Sequence, residues 1–229
     1  MHPKVILAVF TALLQLTSAH LPLTSNQNLR CGKEHKNHKC PAQMCCSVAG
    51  YCGTTEAYCS VPGNCQEKFG MCDSNKTPKG PSPADFKRIY DNRIPAVIKQ
   101  CKKPRTLALT FDDGPAARTH EILDVLAEYD ARGTFFLGGN FNGRGSIDEG
   151  WTPVVKRMIM EGHQIGSHTW SHPNMSAISS HERKVQMQKT ERAILNVVGK
   201  MPTFMRAPMV ACNRGCRKDM NKLGYHVVN

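Results

Sequence analysis

Two aspartates stand side by side in the stretch RTLALTFDDGP, where an apolar run climbs to Phe111 and is followed by Asp112, Asp113, Gly114 and Pro115. Adjacent carboxylates repel, so keeping both ionised calls for a positive partner. The stretch GSHTWSHPN supplies a candidate, with His168 and His172 four residues apart. On a helix that spacing puts both imidazoles on one face; in a tight turn it lets them converge. Either imidazole alone would read as an ordinary core or surface histidine. Two imidazoles and one carboxylate form a three-ligand site with an open position, the donor set of a catalytic zinc. With one aspartate as ligand, the other stays free beside the cation, placed to act as a general base toward water. Arg206, in FMRAPM, offers a guanidinium that can clamp a carboxylate, although alone it would read as a surface cation.

These residues need elements that bring them together. The apolar patterning predicts strands over residues 106–111, 133–138, 163–169, 203–208 and 225–229. Between them it predicts helices near 117–131, 152–161, 179–198 and 214–222. Ser179 or Ser180 caps the third helix, which closes at Gly199 with Pro202 beyond. This alternation argues for a mostly parallel sheet or barrel with crossover helices. On that frame the aspartates end the first strand, the histidines the third and Arg206 the fourth. The loops after parallel strands build one active face in α/β barrels, so three separate segments reach the same place.

The remainder of the chain reads differently. Residues 1–19 have a cation, Lys4, then an apolar stretch and a small-residue ending, the pattern of a secretory signal peptide. The apolar stretch is too short to span a bilayer, and no other segment is apolar enough to do so. Export implies that cysteines pair, and there are 11. Eight of them lie within the 42 residues from Cys31 to Cys72, a segment too small to hold itself by a core alone. Residues 74–85 are rich in Pro and Gly and predict a linker without regular structure. The formal net charge of +12 comes with no nucleic-acid-binding motif, and a solvated basic surface accounts for it. Sequons stand at Asn75 and Asn174.

From Cys101 to the last residue, LALTFDDGP, GTFFLGGN, EGHQIGSHTWSHP and FMRAP follow in the order and spacing of the polysaccharide deacetylases among carbohydrate esterases, which the chain resembles. Fungal chitin deacetylases are the members it resembles most. The resemblance implies an α/β fold, a distorted (β/α) barrel over residues 86–229. It implies Asp112 as catalytic base and Asp113, His168 and His172 as ligands of one divalent metal, Zn2+ first and Co2+ as the alternative. Arg206 would orient Asp112, and the backbone N–H of Met209 would help to stabilise an oxyanion. The implied reaction releases acetate from an N-acetyl group. Met209 departs from the family, which usually has an aromatic residue there. The family also continues past YHVVN to a Leu-x-His motif that supplies a general acid; His163 and His226 are weak substitutes. The domain is therefore expected to be incomplete at its C-terminus, with Cys212–Cys216 closed on itself and Cys101 left without a partner.

The segment RCGKEHKNHKCPAQMCCSVAGYCGTTEAYCSVPGNC resembles a hevein-like chitin-binding module spanning 29–73. That resemblance implies disulfides Cys31–Cys46, Cys40–Cys52, Cys45–Cys59 and Cys65–Cys72, and sugar contacts by Ser47, Tyr51 and Tyr58. Aromatic rings bury the flat faces of N-acetylglucosamine at small entropic cost. Ala49 stands where a third aromatic is expected. The expectation is a secreted, monomeric chitin deacetylase acting on chitin or its oligomers in the wall or outside the cell, binding neither nucleic acid nor membrane. The alternative is a lectin-like chitin binder whose deacetylase domain is truncated and inactive. Two histidines and a carboxylate also suit an Fe(II) oxygenase, but the second aspartate and the α/β alternation argue against it.

Overall fold

The computed structural model describes residues 29–59, 65–85, 97–140 and 144–229. The signal peptide expected over 1–19 lies outside them. Among the described residues no helix is long and apolar enough to cross a membrane.

The small module pairs two short antiparallel strands, β1 (Cys45–Cys46) and β2 (Cys52–Gly53), beside a single helical turn, α1 (Glu56–Cys59). Its interior is largely sulfur: Cys31, Cys46 and Cys52 are buried together, with Leu29, Met44 and Phe69 packed around them. The structure joins Cys31–Cys46, Cys40–Cys52, Cys45–Cys59 and Cys65–Cys72. A fifth bridge joins Cys212 to Cys216, and Cys101 is a free, exposed thiol.

The larger part is built on five parallel strands in chain order, β3 (Leu109–Gly114), β4 (Gly133–Leu137), β5 (Gln164–Ser167), β6 (Phe204–Met205) and β7 (His226–Val227). Helices α2 (Thr119–Glu128), α3 (Thr152–Met160), α4 (Ser180–Val198) and α5 (Arg214–Lys222) fill the intervals. A parallel sheet whose neighbours are consecutive in sequence is the wall of a (β/α) barrel, here an open arc from β3 to β7. The outer side of β7 is not bare: Ile98 bridges Val228 in parallel. One core cluster sets Leu123, Val155 and Ile194, from α2, α3 and α4, against Phe135, Leu137 and Ile165 of the sheet. A second gathers Met187, Met205, Met220 and Tyr225 under α5. Each such side chain contributes about 1.5–3 kcal/mol by leaving water.

The helix ends follow their caps. Ser179 accepts from the Glu182 N–H while Glu182 accepts from the Ser179 N–H, and Gly199 ends α4 at φ 69°. Asn213 accepts from the Cys216 N–H and starts α5.

Two expectations need correction. The first strand of the sheet runs over 109–114 rather than 106–111, because pairing resumes beyond the aspartates, at Gly114 with Leu137. Residues 74–85 are also not devoid of structure, since single 3-10 turns form at Asp73–Asn75 and Pro83–Asp85.

Candidate metal centre

The acidic pair owes its geometry to a bulge. β3 pairs with β4 at Phe111↔Phe135 and next at Gly114↔Leu137, so β3 carries one extra residue across Asp112 and Asp113. A bulge re-aims side chains that a regular strand would send to alternate faces. Asp113 sits in the left-handed region at φ 65°, an uncommon conformation that the surroundings must hold. Arg144 supplies part of that hold, donating to the Asp113 carbonyl at 2.7 Å and to the Pro115 carbonyl at 3.2 Å.

The histidines leave β5 in an irregular loop rather than a helix. His168 and His172 both bring Nε2 to 3.2 Å from the same oxygen of Asp113. The buried His168 has its other nitrogen, Nδ1, 2.8 Å from the Arg206 carbonyl. A carbonyl can only accept, so Nδ1 carries the hydrogen and the Nε2 lone pair of a neutral imidazole faces the carboxylate. Two lone pairs at that distance repel unless a proton or a cation lies between them. With a proton on each Nε2, hydrogen bonds from both imidazoles hold the Asp113 carboxyl well below the usual carboxylate range; with those protons gone, a cation must take their place. The three ligand atoms lie within 4.8 Å of one another. Ligands of a tetrahedral zinc at roughly 2.0–2.1 Å stand about 3.3 Å apart, so the observed spacings fit such an ion. Thr169 and His172 also have positive φ, 72° and 59°, and the Thr169 hydroxyl accepts from the His172 N–H at 3.2 Å.

Asp112 does not join this cluster. Its Oδ1 accepts from Arg206 at 2.9 Å, and the same guanidinium nitrogen donates to the Thr110 hydroxyl at 3.0 Å. The guanidinium lies 4.6 Å from the Phe136 ring centre. Arg206 thus serves both halves of the site: its carbonyl sets the His168 tautomer and its side chain fixes Asp112. Met209 follows at φ 53° with its side chain exposed. Sequence reasoning missed Arg144, Thr110 and Phe136, whose only signal was nearness to the recognised motifs. It also missed Gln186 on α4, which accepts from the Trp170 and Ser171 N–H groups and anchors the histidine loop.

The suggested general acids lie elsewhere. His163 precedes β5 whereas His168 follows it, and its Nδ1 accepts from the Gly133 N–H at 3.1 Å. His226 opens β7 against Phe204, which opens β6. Both histidines therefore sit at the opposite end of the sheet from the cluster.

In the small module, the buried Ser47 accepts from the Tyr51 N–H at 3.2 Å. The Arg30 guanidinium covers one face of the Tyr51 ring at 3.9 Å. The Tyr58 ring lies so close to Gly53 that an added Cβ would meet it at 2.5 Å.

Residues 99–228 match the polysaccharide deacetylase family, and residues 30–75 match the chitin recognition protein family. A chitin deacetylase of Colletotrichum lindemuthianum is 42% identical over 133 residues, 58% of this chain and 53% of that protein. One from Pestalotiopsis sp is 45% identical over 136 residues, 59% of this chain and 45% of that protein. The solved structure of the chitin deacetylase from the fungal pathogen Colletotrichum lindemuthianum superposes with a TM-score of 0.55 at 40% identity, covering 58% of this chain and 59% of that one. The chain spans about half the length of the curated relatives it matches.

Proposed function

Because the chain belongs to the polysaccharide deacetylase family, we propose that it is a secreted, metal-dependent chitin deacetylase. In this reading it hydrolyses N-acetyl groups of N-acetylglucosamine polymers, leaving free amines and releasing acetate. The observation that carries the proposal is the division of labour between adjacent acids: Asp113 meets His168 and His172, while Asp112 is held apart by Arg206.

Asp113, His168 and His172 would hold a divalent ion, Zn2+ being the first candidate. When bound, the ion supplies Lewis-acid polarisation of the acetamide and lowers the pKa of water. Asp112 takes a proton from the attacking water, and Arg206 keeps that carboxylate oriented. The Met209 N–H would donate to the acyl oxygen as negative charge develops there. Water oxygen bonds to the acyl carbon, the C–N bond breaks, and the amine nitrogen gains a proton. Ser47, Tyr51 and Tyr58 hold the polymer, with the tyrosine rings against sugar faces. The match to chitin recognition proteins favours chitin over peptidoglycan or xylan. The five disulfides suit an exported protein.

Acetate release from N-acetylglucosamine oligomers tests this directly. Release that stops with a chelator and returns with Zn2+ supports the reading. Release indifferent to the chelator, or none from zinc-loaded protein, contradicts it.

A further inference from the structure

The indole of Trp170 stands between the two histidines in sequence and is fully buried. Its N–H donates 3.0 Å to the carbonyl of Asp73, the residue after the last cysteine of the small module. Asn140, just past β4, donates to the same carbonyl at 3.1 Å. The Asn140 N–H in turn donates to the Trp170 carbonyl at 2.7 Å, and the Gly139 N–H to the Thr169 carbonyl at 3.0 Å. Gly139 leaves the ring its room: a Cβ there would lie 2.2 Å from it. The loop carrying both histidines is therefore pinned from one side by Gln186 and from the other by a carbonyl outside the matched deacetylase region, residues 99–228.

The chain beyond Asp73 is held along its length. On α4, Lys189 donates to the Ser74 carbonyl at 2.7 Å, Arg192 to the Pro78 carbonyl at 3.3 Å and Asn196 to the Lys79 carbonyl. These donors recur at helical spacing on one face, so α4 reads the backbone of this segment rather than its side chains. Lys76 adds an ion pair with Glu149. Gly80, at φ 116°, lies against Asn196 with no space for a Cβ.

We propose that residues 73–80 form a fixed strap, and that Trp170 is a positioning residue through which the strap sets the geometry of His168 and His172. The chitin-binding module and the metal loop then move as one body. The inference rests on the metal site proposed above.

The test is zinc affinity of the full chain by competition with a chelating dye. It is measured for wild type, Trp170→Phe, and a variant combining Lys189→Ala, Arg192→Ala and Asn196→Ala. Backbone NMR relaxation of the module is recorded alongside. Trp170→Phe removes the donor and half of the buried indole; a lower melting temperature for the metal-free protein and, in the protein that remains folded, zinc binding about 10-fold weaker are expected. The triple variant should free the module to tumble faster than the sheet and weaken zinc binding in the same sense. If Trp170→Phe does not fold, the triple variant decides. Wild type that binds zinc while both variants bind it as tightly overturns the strap inference alone. A module already tumbling independently in wild type does the same. Wild type that takes up no zinc overturns the metal reading as well.

Discussion

At the scale of single residues, one extra amino acid in β3 separates two chemistries. Without the bulge at Asp112 and Asp113, neighbouring carboxylates would alternate across the strand; with it, Asp113 meets the imidazoles and Asp112 meets Arg206. Asp112→Asn should therefore keep the metal and lower acetate release by about 10²–10⁴-fold, the usual cost of losing a general base. Asp113→Ala or His168→Ala should lose the metal along with the activity. Metal content per chain and acetate release check this together, and equal metal loss in all three variants would refute the division. The DD pair, both histidines and Arg206 were legible because each lies in a short motif at a strand end. The bulge was not: nothing in TFDDGP distinguishes a strand that stops from one that gains a residue and continues.

At the scale of elements, β4 and β5 meet at a buried histidine. His163 accepts from the Gly133 N–H through Nδ1, so its hydrogen is on Nε2, 3.6 Å from Glu161. Burial pushes this imidazole below its ordinary value, an effect that Glu161 only partly offsets. In the unfolded chain the group takes up a proton below about pH 6.5, whereas in the folded chain it resists. The unfolded state then binds more protons, so stability falls as pH drops below about 6.5. The urea midpoint should fall between pH 7 and pH 5, and fall less in His163→Gln; equal slopes would refute the assignment. Helix α4 shows where the sequence misleads. Gln186, Thr190 and Glu191 are buried on it, and a search for an apolar stripe passes over such residues. Of these, Gln186 accepts from the backbone of the histidine loop, while Lys189, Arg192 and Asn196 hold the backbone on the other side. The Pro- and Gly-rich composition of 74–85 was read as untied because its hydrogen-bond donors lie on α4, more than 100 residues away. By contrast α5 was legible to the residue, since Asn213 caps it locally.

At the scale of the whole molecule, sulfur does for the small module what the sheet core does for the larger part. Four bridges hold a segment with few buried hydrocarbons, and each typically contributes about 2–4 kcal/mol. Sugar binding and hydrolysis should accordingly separate by mutation. Tyr51→Ala or Tyr58→Ala should weaken binding to chitin beads by about 2- to 13-fold, each losing a stacking contact of about 0.5–1.5 kcal/mol, while acetate release from short soluble oligomers persists. Asp113→Ala should do the reverse; a bead assay in which Asp113→Ala weakens binding as much as Tyr51→Ala would contradict the separation. Joining the two parts by a strap rather than a tether would carry the metal loop and the bound polymer in one frame. All of this depends on a cation at the meeting point of one acid and two imidazoles. Anomalous diffraction at the zinc edge from zinc-soaked crystals tests that point most directly. The expected result is a single peak about 2.0–2.2 Å from Asp113 and from Nε2 of His168 and His172, with Asp112 outside the coordination sphere. No peak there, or imidazoles turned away from one another, would contradict it.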